Sequence, residues 1–114
     1  MNYSFDSLNG TEVITLSGNM LSSTDNADVL EHVKKKIDKG GNHFIINLHD
    51  VKFINSNGLG LLINILTKSR KAGGDTVLAS VPDELNRLLA MTKLNSIFVS
   101  AGSLEDAQAL LQAQ

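Results

Sequence analysis

The stretch from Asp50 to Ile63, DVKFINSNGLGLLI, is the tightest constraint on how this chain can fold. Just before it lies Phe44, Ile45, Ile46 and Leu48, a short near-continuous apolar run of the kind found in a strand covered on both faces. From Leu59 onward, Leu59, Leu62, Ile63 and Leu66 recur at helical spacing. Asn55, Ser56 and Asn57 form a polar break between the two patterns. A strand therefore feeds a helix through a short exposed loop. Ser56 or Asn57 can cap that helix, and Gly60 lets its first turn pack close to a sheet. The backbone N–H groups of Gly58, Leu59 and Gly60 are then expected to point to solvent, where an anion or a partner can meet them. Leu61 and Ile65 lie on another flank, so the helix is apolar over more of its circumference than one sheet contact requires. Cover by a neighbour or by a partner is expected there.

Around this unit the other elements fall into order. Tyr3 to Leu8 and Thr11 to Leu16 read as two strands joined at Asn9-Gly10, a dipeptide suited to a tight hairpin turn. Asp25 to Lys39 reads as a helix with Val29, Leu30, Val33 and Ile37 on one side, Thr24 or Asp25 as its cap, and Gly40-Gly41 at its end. The run Lys34-Lys35-Lys36 suits the helix C-terminus and is read as a solvated face. After the Leu59 to Ala72 helix come a strand over Thr76 to Val81 and a helix opened by Pro82, with Leu85, Leu88 and Leu89 buried. A brief strand at Ile97 to Val99 follows, and Ser103 to Asp106 matches a capping-box start for a last helix. The order β-β-α-β-α-β-α-β-α argues for an α/β sandwich with a mixed, mostly parallel sheet and an antiparallel N-terminal edge.

Composition narrows the function. The 114 residues are 42% hydrophobic and 19% charged, consistent with one domain over 1–114. Ten basic and 12 acidic residues leave a formal charge of −2, so no basic field attracts nucleic acid or an anionic membrane. No apolar run approaches the roughly 20 residues a membrane helix needs, and the N-terminus has no signal-peptide pattern; a cytoplasmic protein without membrane insertion is expected. With no cysteine, thiolate metal sites are excluded. His32, His43 and His49 make no ligand pair and read as surface or structural. Gly58, Gly60, Lys68 and Ser69 do not form a phosphate-binding P-loop, because no Gly-Lys pair stands at the required spacing. No Gly-x-Ser-x-Gly elbow surrounds Ser56, and the carboxylates stand mostly at helix starts. No catalytic residue, metal or cofactor is expected.

The segment Phe53-Ile54-Asn55-Ser56-Asn57-Gly58-Leu59-Gly60-Leu61-Leu62, following the strand Phe44 to Leu48, resembles the signature of STAS domains, and in particular of the bacterial anti-sigma factor antagonists. That pattern is an apolar pair, then Asp-Ser-Ser/Thr-Gly, then Leu-Gly at a helix start. Gly18 resembles the glycine where the family's second strand exits. The resemblance implies a switch protein that binds an anti-sigma factor, an ATP-dependent serine kinase, and so frees a sigma factor; phosphorylation of the Ser or Thr before the motif glycine abolishes binding. Here that position is Asn57, which cannot be phosphorylated. The family aspartate is Asn55, and the acidic residue usually found three positions after Gly18 is Leu21. The loop is less negative than the family pattern, as suits a surface committed to one binding state. Ser56 remains as a substitute acceptor. Partner contact is expected through Leu21, Ser22, Ser23 and Thr24, and through Asn55, Ser56, Asn57, Gly58, Leu59, Gly60 and Leu61. The alternative is a STAS subunit of a transporter, such as a lipid-transport complex, or of a stress-signalling scaffold. Oligomeric state is left open.

Overall fold

The computed structural model describes residues 2–20 and 23–112. Strands β1 (Asn2–Leu8) and β2 (Thr11–Met20) form an antiparallel hairpin. Its turn places Asn9 at φ 50° and Gly10 at φ 84°, the two positive values that match the twist of the flanking strands. There follow α1 (Ser23–Asp38), β3 (His43–Ile54), α2 (Ser56–Lys71), β4 (Asp75–Ala79), α3 (Asp83–Met91), a single 3₁₀ turn (Leu94–Ser96), β5 (Val99–Ala101) and α4 (Leu104–Gln112). The expected order is the observed one. Helix α1 begins before the anticipated Thr24 or Asp25 cap, and β5 lies two residues later than the apolar pair Ile97-Phe98 suggests. That pair is spent on the turn preceding the strand, where Phe98 is buried.

The five strands lie in sequence order, with β2 to β5 parallel and β1 antiparallel at the edge. Parallel connections are right-handed, so a sheet that always steps the same way collects its crossover helices on one face. Accordingly α1, α2 and α3 share one core with β2 and β3: Val29 and Val33, Leu62 and Ile65, Leu85 and Leu89 pack with Ile14, Phe44 and Ile46. Helix α4 follows the last strand and covers the other face, where Ala107 and Leu111 meet Val13, Ile45 and Val77. Its start is the expected cap, with Ser103 Oγ accepting the Asp106 N–H at 3.1 Å. The wide apolar surface of α2 is thus resolved in favour of a neighbour, because Leu61 and Ile65 are both buried within the chain's own core.

Strand β3 is longer than its apolar run. Beyond Asn47 it continues to Ile54 with β2 alone beside it, since β4 pairs only with 43–47. Two register shifts each place an extra β3 residue against β2: Thr15 and Ser17 face Asn47 and Asp50, and Gly18 and Asn19 face Val51 and Phe53. These bulges turn the period of two into a period of three. Leu48, Val51 and Ile54 are buried while His49, Asp50, Lys52 and Phe53 are exposed. Gly18, φ 81°, sits at the second shift, within β2 and not at its exit.

Candidate protein-docking site

The strand-to-helix junction is built by Asn55. Its backbone is extended, φ −114° and ψ −170°, and its Oδ1 accepts the Gly58 N–H at 3.1 Å. Its carbonyl accepts the Leu59 N–H at 2.9 Å. Asn55 therefore caps α2, and neither Ser56 nor Asn57 does, because the helix begins one turn earlier than the first apolar contact Leu59 suggests. The cap also changes which donors remain. The N–H groups of Gly58 and Leu59 are already engaged and do not point free into solvent, as the sequence reading expects. Gly60 is not a packing requirement either: a Cβ there meets nothing within 4 Å.

Ser56 and Asn57 form the exposed tip, Asn55, Leu59 and Gly60 are half-buried, and Gly58 and Leu61 are buried. Leu61, 1% exposed, can shape this surface only from beneath. Of the second expected segment, Leu21, Ser22 and the side chains of Ser23 and Thr24 lie outside the described residues. The end of α1 nevertheless reaches the tip. Asn26 Nδ2 donates to the Asn57 carbonyl oxygen at 2.9 Å, while Asn26 Oδ1 is buried without a hydrogen-bond partner. The Asn57–Gly58 peptide is thereby held at both ends by side chains, its C=O by Asn26 and its N–H by Asn55.

Electrostatically the junction is quiet. The first turn of α2 contains no acid, and Lys68, Arg70 and Lys71 complement the far end of its dipole. A helix N-terminus lacking its own carboxylate keeps its positive end available to a partner's acidic group. Beside the tip, the end of β3 and the start of α3 enclose a groove of about 430 Å³, floored by Val51, Ile54, Leu85 and Leu88 and flanked by Asp83 and Glu84. Phe53, 55% exposed, lines it. Phe53 stands outside the contact residues expected from the sequence, although plain strand alternation from buried Leu48 and Ile54 already places it on the opposite face.

The remaining polar centres are structural in character. Glu12, 7% exposed on β2, receives His32 Nε2 at 2.8 Å and Lys36 Nζ at 3.5 Å, and the His32 ring stacks on Phe5 at 3.6 Å between centroids. Lys36 thus leaves the solvated lysine run to satisfy a buried carboxylate, while Lys34 and Lys35 stay exposed. His49 pairs with Asp50 at the surface, and His43 lines a small cleft near the β1–β2 turn. Among the described residues, no group of three or more His, Asp or Glu could hold a metal ion, and no helix is long and apolar enough to cross a membrane.

A family model described as the STAS domain matches residues 4–107. A Thermotoga maritima protein classed as an anti-sigma factor antagonist is 33% identical over 92 residues, which cover 75% of this chain and 78% of that one. The crystal structure of such a protein from the same organism superposes with a TM-score of 0.84 at 22% identity, covering 96% of this chain and 94% of the other. The Bacillus cell-fate determinant SpoIIAA, solved in phosphorylated form, gives a TM-score of 0.74 at 17% identity, covering 99% and 100% of the two chains. The five-stranded mixed sheet with four helices is their common fold. Sequence and fold together place this chain in the STAS domain family, among the anti-sigma factor antagonists.

Proposed function

We propose that this chain is a non-catalytic interaction domain that binds an anti-sigma factor kinase and relieves sigma factor inhibition, and that it does so without a phosphorylation cycle at the usual position. One observation carries the reading. The residue matching the family's phosphoacceptor is Asn57, exposed at the start of α2, with no hydroxyl and no acid in that turn. In a cycling antagonist a phosphate brings about −1.5 to −2 charge to this helix end. Asn57 offers no hydroxyl to a kinase, so the docking surface is not switched by phosphate at this position. Contact is made by Asn55, Ser56 and Asn57, with Phe53 and the adjoining groove as an apolar flank.

Calorimetric titration of a cognate anti-sigma factor tests this. Binding to the wild type is expected, with a loss of at least tenfold in Asn57→Asp and in Gly58→Trp. Undiminished binding of both variants would place the interface elsewhere.

A further inference from the structure

We propose that Asn57 is a site of spontaneous deamidation, which places a carboxylate at the start of α2 without any kinase, and that the side chains of Asn26 and Asn55 set its rate. Asn57 is exposed and is followed by glycine, whose missing side chain leaves its backbone nitrogen unhindered. In the reaction the Gly58 nitrogen gives up its proton to solvent base and attacks Cγ of Asn57. A C–N bond forms, the bond from Cγ to the amide nitrogen breaks, and ammonia leaves. Water then opens the cyclic imide. Attack at Cγ gives aspartate; attack at the main-chain carbonyl gives isoaspartate, whose main chain runs through the side-chain carbon. No oxidant or reductant takes part.

The fold restrains the first step. Helical backbone at Asn57 holds the Gly58 nitrogen away from Cγ, so the first turn of α2 must open before attack. Helix ends are where such opening is easiest. Here it is opposed by two side-chain bonds on one peptide unit: Asn55 Oδ1 takes the Gly58 N–H at 3.1 Å, and Asn26 Nδ2 holds the Asn57 carbonyl at 2.9 Å. Gly58 lies too near the helix start for its N–H to have a main-chain acceptor within the helix, so the cap is its restraint. Losing either side-chain bond is expected to raise the open population roughly twofold to tenfold.

The chain carries its own comparator. Asn9-Gly10 is a second Asn-Gly pair, exposed in the β1–β2 turn and outside any helix. Folded wild type, Asn26→Ala, Asn55→Ala and Asn55→Asp are held together at mildly alkaline pH and sampled by peptide mapping that separates amide, aspartate and isoaspartate. Conversion at Asn57 in the wild type is expected, more slowly than at Asn9. It should accelerate twofold to tenfold in Asn26→Ala and Asn55→Ala, with Asn9 unchanged. Asn55→Asp, which keeps the acceptor, should stay near the wild-type rate. Far-ultraviolet dichroism of the same samples separates opening of one turn from loss of the fold. An Asn57 that stays amide in both alanine variants while Asn9 converts, or one whose rate ignores both substitutions, overturns the proposal.

Discussion

Asn26 Nδ2 donates to the carbonyl oxygen of Asn57 at 2.9 Å, joining the first turns of two helices that the chain separates by a whole strand. The bond couples the start of α1 to the loop proposed as the docking surface. Removing Asn26 loses this bond but also removes the buried Oδ1 that has no partner. The two effects oppose each other, so Asn26→Ala should change global stability by no more than about 1 kcal/mol. Hydrogen exchange at Gly58 and Leu59 should nevertheless quicken. Unchanged exchange at both amides would mean that Asn26 does not hold the loop.

The cap at Asn55 makes a larger claim. Asn55→Ala removes the acceptor for the Gly58 N–H and should cost about 1 kcal/mol, read as a lowered Tm. Asn55→Asp restores the family residue and adds a charge that favours the helix start, so its Tm should match or exceed the wild-type value. Were Asn55→Asp as damaging as Asn55→Ala, the capping role would be wrong.

Gly60 stands inside α2 with open space where a Cβ would go. Gly60→Ala should therefore stabilise the fold by about 0.5–1 kcal/mol in chemical denaturation, through the lower backbone entropy of alanine in the unfolded chain. Destabilisation would reveal a close approach that the fold does not contain.

Gly74 presents the opposite case. A Cβ at this position would lie 2.0 Å from the backbone oxygen of Asn42, at the crossing from α2 into β4 where Asp75 N–H also bonds that oxygen. Backbone on both sides has to move, so Gly74→Ala should cost more than about 2 kcal/mol. A Tm within a few degrees of wild type would contradict the close contact.

Much of this architecture could be read from apolar spacing alone, and the exceptions have physical causes. The Phe44 to Leu48 run announces a doubly covered strand, and Asn9-Gly10 and Ser103 to Asp106 announce their turn and cap through local chemistry. The length of β3 was hidden because its two bulges bury Leu48, Val51 and Ile54 at every third residue, a pattern that neither strand nor helix spacing describes. The cap of α2 was misplaced because Asn55, Ser56 and Asn57 are all competent caps, and only the backbone path selects among them. The Glu12, His32 and Lys36 cluster joins residues from two elements, so no local pattern marks it; a buried charge becomes visible only once β2 and α1 are packed. The strand-to-helix junction itself was legible through its family signature, whereas the exposure of Phe53 beside it had no such signature.

The most direct test of a committed, non-cycling surface combines binding with phosphate transfer. The protein is incubated with its anti-sigma factor kinase and ATP, its intact mass is measured, and the same sample is titrated against fresh kinase. The expected result is no added phosphate and an affinity equal to that of protein incubated in parallel without kinase. A phosphate on Ser56, absent from Ser56→Ala and accompanied by lost binding, would contradict the central claim.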